Sequence, residues 1–140
     1  MFKAGLTVDF LNDFCKNTMV DNLGIEFTEI GDDYMVAKMP VDNRTIQPLG
    51  LLHGGASIAL AETLGSVAAT FVLNTETHYC VGLEINGNHI KAIKAGYVYG
   101  KTTPVHIGSK TQVWQIRITN EKEQLVSICR ITLAVIEKRK

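Results

Sequence analysis

The sequence predicts an α+β fold in which a curved antiparallel β-sheet wraps around one long buried helix. Three observations lead there. Residues 55–73 are Ala, Leu, Ile, Val and small polar side chains over a length too great for a strand, as in a helix buried on nearly every face. Four runs rich in Val, Ile, Thr and Tyr follow, at residues 79–89, 95–106, 109–120 and 125–136. The turns between successive strands are short, so sequence neighbours are expected to pair antiparallel.

The elements before the long helix are read from local chemistry. Thr7 is placed to cap a short helix whose apolar positions, Phe10, Leu11, Phe14 and Cys15, recur at helical spacing. Gly24 closes a second short turn carrying Met19, Val20 and Leu23. Residues 25–30 and 34–39 are separated by Gly31, Asp32 and Asp33, which is hairpin turn chemistry. Among the later strands, Gly96, Gly100 and Gly108 are expected to allow bulges or strong curvature. The sequence has no internal repeat, low-complexity tract or linker, so residues 1–140 are expected to form one domain.

Composition narrows the function classes. Lys and Arg number 14 and Asp and Glu number 14, so the formal net charge is zero and the electrostatic footprint of a nucleic-acid binder is missing. The one basic run, at residues 138–140, reads as a solvated tail. The three cysteines, Cys15, Cys80 and Cys129, are far apart and odd in number, which argues against a disulfide framework and for a reducing cytoplasm. The N-terminus lacks the order of a secretory signal. From Thr45 to Thr75 the only formally charged side chain is Glu62, but that carboxylate and Pro48, Gly50, Gly54 and Gly55 argue against a membrane span.

Glu62 is the first candidate for chemistry, because a carboxylate on an otherwise apolar helix carries a desolvation cost. Pairing with a strand cation, or reaching out to water, would explain it without function. Ser66 lies one turn on along the same face and could steady the carboxylate or hold a water. His53, Gly54 and Gly55 open the helix, with Gln47 and Pro48 in the loop upstream, and unhindered amides at a helix start make an oxyanion site. By spacing alone the glycines equally permit a tight turn with His53 as a cap. His78, His89 and His106 lack metal-ligand spacing, so no metal is expected. Ser57 lacks the G-x-S-x-G turn of a hydrolase nucleophile, and no dinucleotide or P-loop motif occurs.

The run QPLGLLHGGASIALAETLGS, from Gln47 to Ser66, resembles the active-site segment of the hotdog-fold acyl-CoA thioesterases, in the glutamate-dependent subgroup that acts on aroyl thioesters. VGLEINGNHIKA, from Val81, and PVHIGSKTQVWQIRI, from Pro104, resemble the same subgroup, which includes thioesterases of menaquinone and enterobactin synthesis. The resemblance implies a hotdog fold and hydrolysis of an aroyl- or acyl-thioester, on CoA or on a carrier protein, with no cofactor. It implies Glu62 as nucleophile or general base, Gly54 N–H as oxyanion donor, Gln47 and His53 as orienting groups, and Ser66 as an aid to the water. It places His89 at the acyl or aryl pocket, and Gly82, Lys91, His106, Ser109 and Lys110 on segments that contact CoA. Lysines stand at Lys91, Lys94 and Lys110 where related enzymes often carry arginine, which keeps charge but forgoes bidentate phosphate contacts. A fatty acyl-CoA thioesterase, a dehydratase or hydratase on the same fold, and a non-catalytic acyl-CoA sensor are the alternatives.

Gly54 and Glu62 are eight residues apart in the sequence. Along one helix that is about 12 Å, farther than one side chain can close. A two-fold partner with its helix antiparallel would bring its Glu62 beside Gly54, so a homodimer with composite sites is expected, and the resemblance implies a dimer of dimers.

Overall fold

The computed structural model describes residues 1–139; Lys140, the last of the basic run, lies outside them. The chain opens with two short helices, α1 (Val8–Phe14) and α2 (Met19–Asn22), followed by β1 (Glu26–Ile30) and β2 (Met35–Pro40). The long helix α3 (Gly54–Phe71) comes next, then β3 (His78–His89), β4 (Tyr97–Ile107), β5 (Thr111–Asn120) and β6 (Leu125–Glu137). This is the α+β order expected. Thr7 caps α1, its Oγ1 accepting from the Phe10 N–H at 3.1 Å. Gly24, at φ +71°, ends the α2 segment. The Gly31 N–H donates to the Tyr34 carbonyl at 2.8 Å and closes the β1–β2 hairpin.

The six strands form one antiparallel sheet in the order β1-β2-β4-β5-β6-β3. The expectation that sequence neighbours pair fails at one place. β3 pairs with β6, not with β4, because β4 is inserted between β2 and β5. Residues 90–96 carry the chain across, held by Ile90 N–H on Val126 O at 2.7 Å and by Leu52 N–H on Ile93 O at 2.8 Å. β3 is therefore an outer strand, twelve residues long, with one edge unpaired.

α3 packs against β2, β3, β4, β5 and β6. It is not buried all round, as its composition suggested. Leu60, Ala61, Leu64, Gly65, Ala68 and Ala69 are buried, whereas Ile58, Glu62, Thr63, Ser66 and Val67 are only half-buried. That second face mixes Ile58 and Val67 with Glu62, Thr63 and Ser66; Ile58 and Glu62 reach β3 at Gly87 and Gly82, and α2 also contacts the helix. On α1, Leu11 and Cys15 are buried, while Phe10 and Phe14 remain exposed.

The helix sits close to the sheet because two glycines leave room for it. A Cβ on Gly65 would lie 2.4 Å from Ile131 Cγ2, and one on Gly100 would lie 2.5 Å from Leu64 Cδ1. Gly100 thus serves close approach, and no register shift falls at it. The strand irregularities fall between Phe27 and Glu29, Gly82 and Glu84, Pro104 and His106, and Ile118 and Thr119. Gly96, at φ +84°, precedes β4, and Gly108 sits in the β4–β5 turn. At the far end of α3, buried Gln112 donates to Ala69 O at 3.3 Å and accepts from Trp114 Nε1–H at 2.8 Å. Those bonds give buried polar groups partners where an apolar core has none. No helix of the described residues is long and apolar enough to cross a membrane.

The Gly65 contact has a measurable sign. Alanine gains about 1 kcal/mol over glycine in a helix interior, but overpacking against a stiff β-branched side chain costs about 1–3 kcal/mol. Gly65→Ala is expected to lower stability by about 1 kcal/mol in urea unfolding. In an Ile131→Ala background the same change should become stabilising, giving a positive coupling in the double-mutant cycle.

Candidate active site

Two clusters of the expected residues lie along α3, one at its N-terminus and one two turns on. At the N-terminus the backbone is fixed from upstream: Thr45 O accepts from His53 N–H at 2.8 Å, and Thr45 Oγ1 donates to Pro40 O at 2.6 Å. His53 is the N-cap, with its Nδ1 accepting from Gly55 N–H at 2.7 Å. The His53 carbonyl accepts from Ala56 and Ser57 N–H at 3.0 and 3.2 Å. Of the first-turn amides, Gly54 N–H alone has no acceptor among the described residues. It is an unspent donor at the positive end of an 18-residue helix.

Gln47, Leu51, Gly54, His89, Lys91 and Ser127 line a recess of about 260 Å³ at this end. The Gln47 side-chain oxygen accepts from Leu49 N–H, which leaves its NH₂ free to donate. His89 Nδ1 is 2.9 Å from Ser127 Oγ. Its Nε2 would lie 2.7 Å from a Cβ on Gly54, so the glycine allows the imidazole to approach the helix start.

Glu62 occupies the second cluster. Its Oε1 would lie 2.6 Å from a Cβ on Gly82, so the carboxylate rests against bare backbone of β3. Burial pushes its pKa up, and a hydrogen bond from Ser66 partly offsets that. The recess around it, about 380 Å³, is walled by Phe14, Cys15, Thr18, Val20, Thr63, Ser66 and Val67. Glu62 has no cation partner among the described residues, so the ion-pair explanation for it fails. Within one chain it shares no recess with Gly54.

These features can be set beside known proteins. The thioesterase superfamily model matches residues 49–127, the stretch from the loop before α3 into β6. The chain belongs to the thioesterase superfamily. It is a thioester hydrolase. The chain is 48% identical over 136 residues to the 1,4-dihydroxy-2-naphthoyl-CoA hydrolase of Escherichia coli, covering 97% of this chain and 99% of that protein. A thioesterase structure from Haemophilus influenzae superposes with a TM-score of 0.94 at 46% identity, covering 97% of this chain and 94% of that one. A mutant thioesterase from Pseudomonas aeruginosa superposes at 0.96 with 42% identity, covering 98% and 99%. The hotdog fold expected from the sequence is the fold observed.

In this thioesterase the other expected site residues are distributed unevenly. Gln47, His53, Gly54, His89 and Lys91 gather at the start of α3. Gly82, expected on a CoA-contacting strand, lies against the Glu62 carboxylate. His106, Ser109 and Lys110 are exposed at the β4–β5 turn and line neither recess of the single chain. Sequence reasoning missed Ser127, the partner of His89, and the walls Phe14, Thr18 and Val67. A serine in a strand carries no local mark of the histidine it meets 38 positions away.

The raised Glu62 pKa also bears on stability. A carboxyl whose folded pKa lies above its unfolded value binds protons more tightly when folded. Its contribution is present below the unfolded pKa and lost as pH rises through the folded one. Glu62→Gln removes that loss and leaves an oxygen to accept from Ser66. The variant should melt above the wild type at pH 8, with the difference closing as pH falls toward 4; calorimetry across that range checks the sign.

Proposed function

We propose that the thioesterase hydrolyses aroyl-CoA thioesters to the free acid and CoA in sites shared between two chains. Glu62 of one chain would face Gly54 of the other. The observation that carries this reading is the placement of both groups against β3. Glu62 rests on Gly82, near the middle of a long strand, and Gly54 on His89 at its end, and the outer edge of that strand is unpaired. Two copies of β3 pairing antiparallel, with the two-fold axis between Ile85 and Asn86, would set Gly82 of one chain opposite His89 of the other. That register delivers Glu62 to the unspent Gly54 amide twice per dimer. Exposed Val81 and Leu83 on the same strand favour covering the edge, since a long unpaired edge is a template for another strand.

The chemistry then needs only these side chains and water. Gly54 N–H holds the carbonyl oxygen as it becomes an oxyanion. Glu62, as general base, takes a proton from water as the hydroxyl adds to the carbonyl carbon; collapse breaks the C–S bond, and the departing thiolate recovers the proton. Glu62 as nucleophile would instead form a mixed anhydride with expulsion of the thiolate, and water would hydrolyse the anhydride. Single-turnover hydrolysis in labelled water separates the two, because only the covalent route places label in the enzyme carboxylate. The NH₂ of Gln47 and the Nε2 of His53 are free to orient the thioester. Lys91 lines the recess at Gly54, and Lys91, His106, Ser109 and Lys110 are assigned to CoA by the family resemblance. The aroyl preference is supported by likeness to the naphthoyl-CoA hydrolase of Escherichia coli. A preference for palmitoyl-CoA over benzoyl- and naphthoyl-CoA would replace it with a fatty acyl-CoA assignment.

Glu62→Gln is expected to lower kcat by about a thousandfold with KM little changed. A loss below tenfold would remove Glu62 from the chemistry. The acid limb of the wild-type kcat/KM profile should lie above the usual carboxylate range, because Glu62 must be ionised to act and burial raises its pKa. The shared site is tested by refolding Glu62→Gln with an inactive Gln47→Ala variant. Random pairing should restore about a quarter of wild-type activity, through heterodimers with one intact site each. A mixture as inactive as its parents, with exchange confirmed, would place the site within one chain.

A further inference from the structure

The recess beside Glu62 has one wall that the chemistry does not use. That wall comes from α1 and the turn after it, and its largest member is Phe14. Phe14 is 61% exposed, yet its ring is fixed by others. It meets Phe71 edge-on at 6.0 Å and 82°, and stacks with Phe10 at 6.2 Å and 11°. Two rings therefore hold a third in place while most of its surface stays open. Such a ring contributes little to the core, and its hydration is relieved only when something apolar covers it.

Substrate geometry says what covers it. The scissile carbonyl must come within about 3.5 Å of the reacting oxygen, and the two arms of a thioester leave the carbonyl in different directions. The recess at Gly54 is the more polar of the two, with Gln47, His89, Lys91 and Ser127 beside Leu51, Leu52 and Val126, which suits the pantetheine arm. That sets His89 next to this arm and not at the acyl or aryl pocket the resemblance implies for it. The recess at Glu62 offers Phe14, Val20 and Val67, which suits an acyl group. We infer that Phe14 is a specificity-determining residue that packs against the ring of an aromatic acyl group bound beside Glu62 of the same chain. This rests on the assignment of Glu62 to the chemistry.

An aromatic ring in this recess would extend the Phe71–Phe14 cluster in edge or offset geometry. Such pairs contribute beyond their buried area by a factor of about two to ten in binding. An alkyl chain in the same place gains only the area. The preference is therefore for ring over chain, and it depends on the aromaticity of Phe14 and not merely on its bulk.

The experiment uses the full chain and two substrates, benzoyl-CoA and hexanoyl-CoA, with CoA release followed by a thiol reagent. Phe14→Leu should lower the benzoyl-to-hexanoyl ratio of kcat/KM by about two- to tenfold, chiefly through KM for benzoyl-CoA, since the contact exists before the chemical step. Phe14→Tyr should keep the wild-type ratio. Phe10→Leu is the control: Phe10 lines a separate recess with Lys3, Thr7 and Thr75, and Phe71 still holds Phe14 edge-on when the Phe10 ring is removed, so the ratio should shift clearly less than in Phe14→Leu. An unchanged ratio in Phe14→Leu overturns the inference, as does an equal shift in Phe10→Leu. Equal loss on both esters together with an altered oligomer mass also overturns it, by making Phe14 a contact between chains. In those cases hydrolysis by the wild type and its dependence on Glu62 survive. A Glu62→Gln variant that keeps wild-type activity would overturn the Glu62 assignment and this inference together.

Discussion

One helix has to fill the core and also hold a carboxylate only partly removed from water, and most of the structure follows from that pairing of duties. α3 meets it by dividing its circumference. Small and branched residues, with Gly65 pressed against Ile131, bring one face close to the sheet. The opposite face keeps Glu62 between β3 and the α1–α2 segment, where burial raises its pKa but the Ser66 hydroxyl still reaches it. Deeper burial would neutralise the carboxylate near neutral pH, and full exposure would leave it an ordinary surface acid. Gly82 sets the depth, because any side chain there would displace Oε1.

Periodicity and turn chemistry made the elements legible. Thr7 and Gly24 mark the short helices where the structure has them, and the long helix and four late strands fall within a few residues of their expected bounds. Strand order was not legible from adjacency. β3 and β4 are neighbours in sequence, but residues 90–96 cross two strands, and nothing local in 79–89 says that its partner is β6. The helix was misread for a related reason. Composition reports that Ile58 and Val67 are apolar but not whether a sheet, a ligand or another chain covers them. Apolar residues serve all three, so an all-apolar helix is evidence of contact and not of which contact.

The candidate site divides along the same line. Glu62 announced itself as the one charge in a long neutral stretch, and the glycines at the helix start as amides without cover. Both signals are local, and both residues stand in recesses that admit a small molecule. His89 and Ser127 come from strands far apart in sequence and meet only because β3 pairs with β6. Phe14 carried a less specific signal: helical spacing put it among the apolar positions of α1 with Leu11 and Cys15, which are buried, whereas Phe14 is exposed. The residues hardest to read are those whose role depends on a surface that the chain does not cover by itself.

The arrangement at His53 bears on which hotdog chemistry the site suits. Its Nδ1 accepts from Gly55 N–H at 2.7 Å, so a neutral imidazole carries its proton on Nε2. The lone pair that a base would use is already engaged in capping the helix. A dehydratase or hydratase that relies on a histidine base needs that lone pair directed at a substrate C–H or at water. Here the free end of the ring is a donor, as the NH₂ of Gln47 is. Two donors and the bare Gly54 amide suit an acceptor oxygen that gains negative charge, leaving proton abstraction to a carboxylate. That arrangement favours the proposed thioester hydrolysis over histidine-based hydration, and it follows from a helix cap made by histidine in place of serine or aspartate.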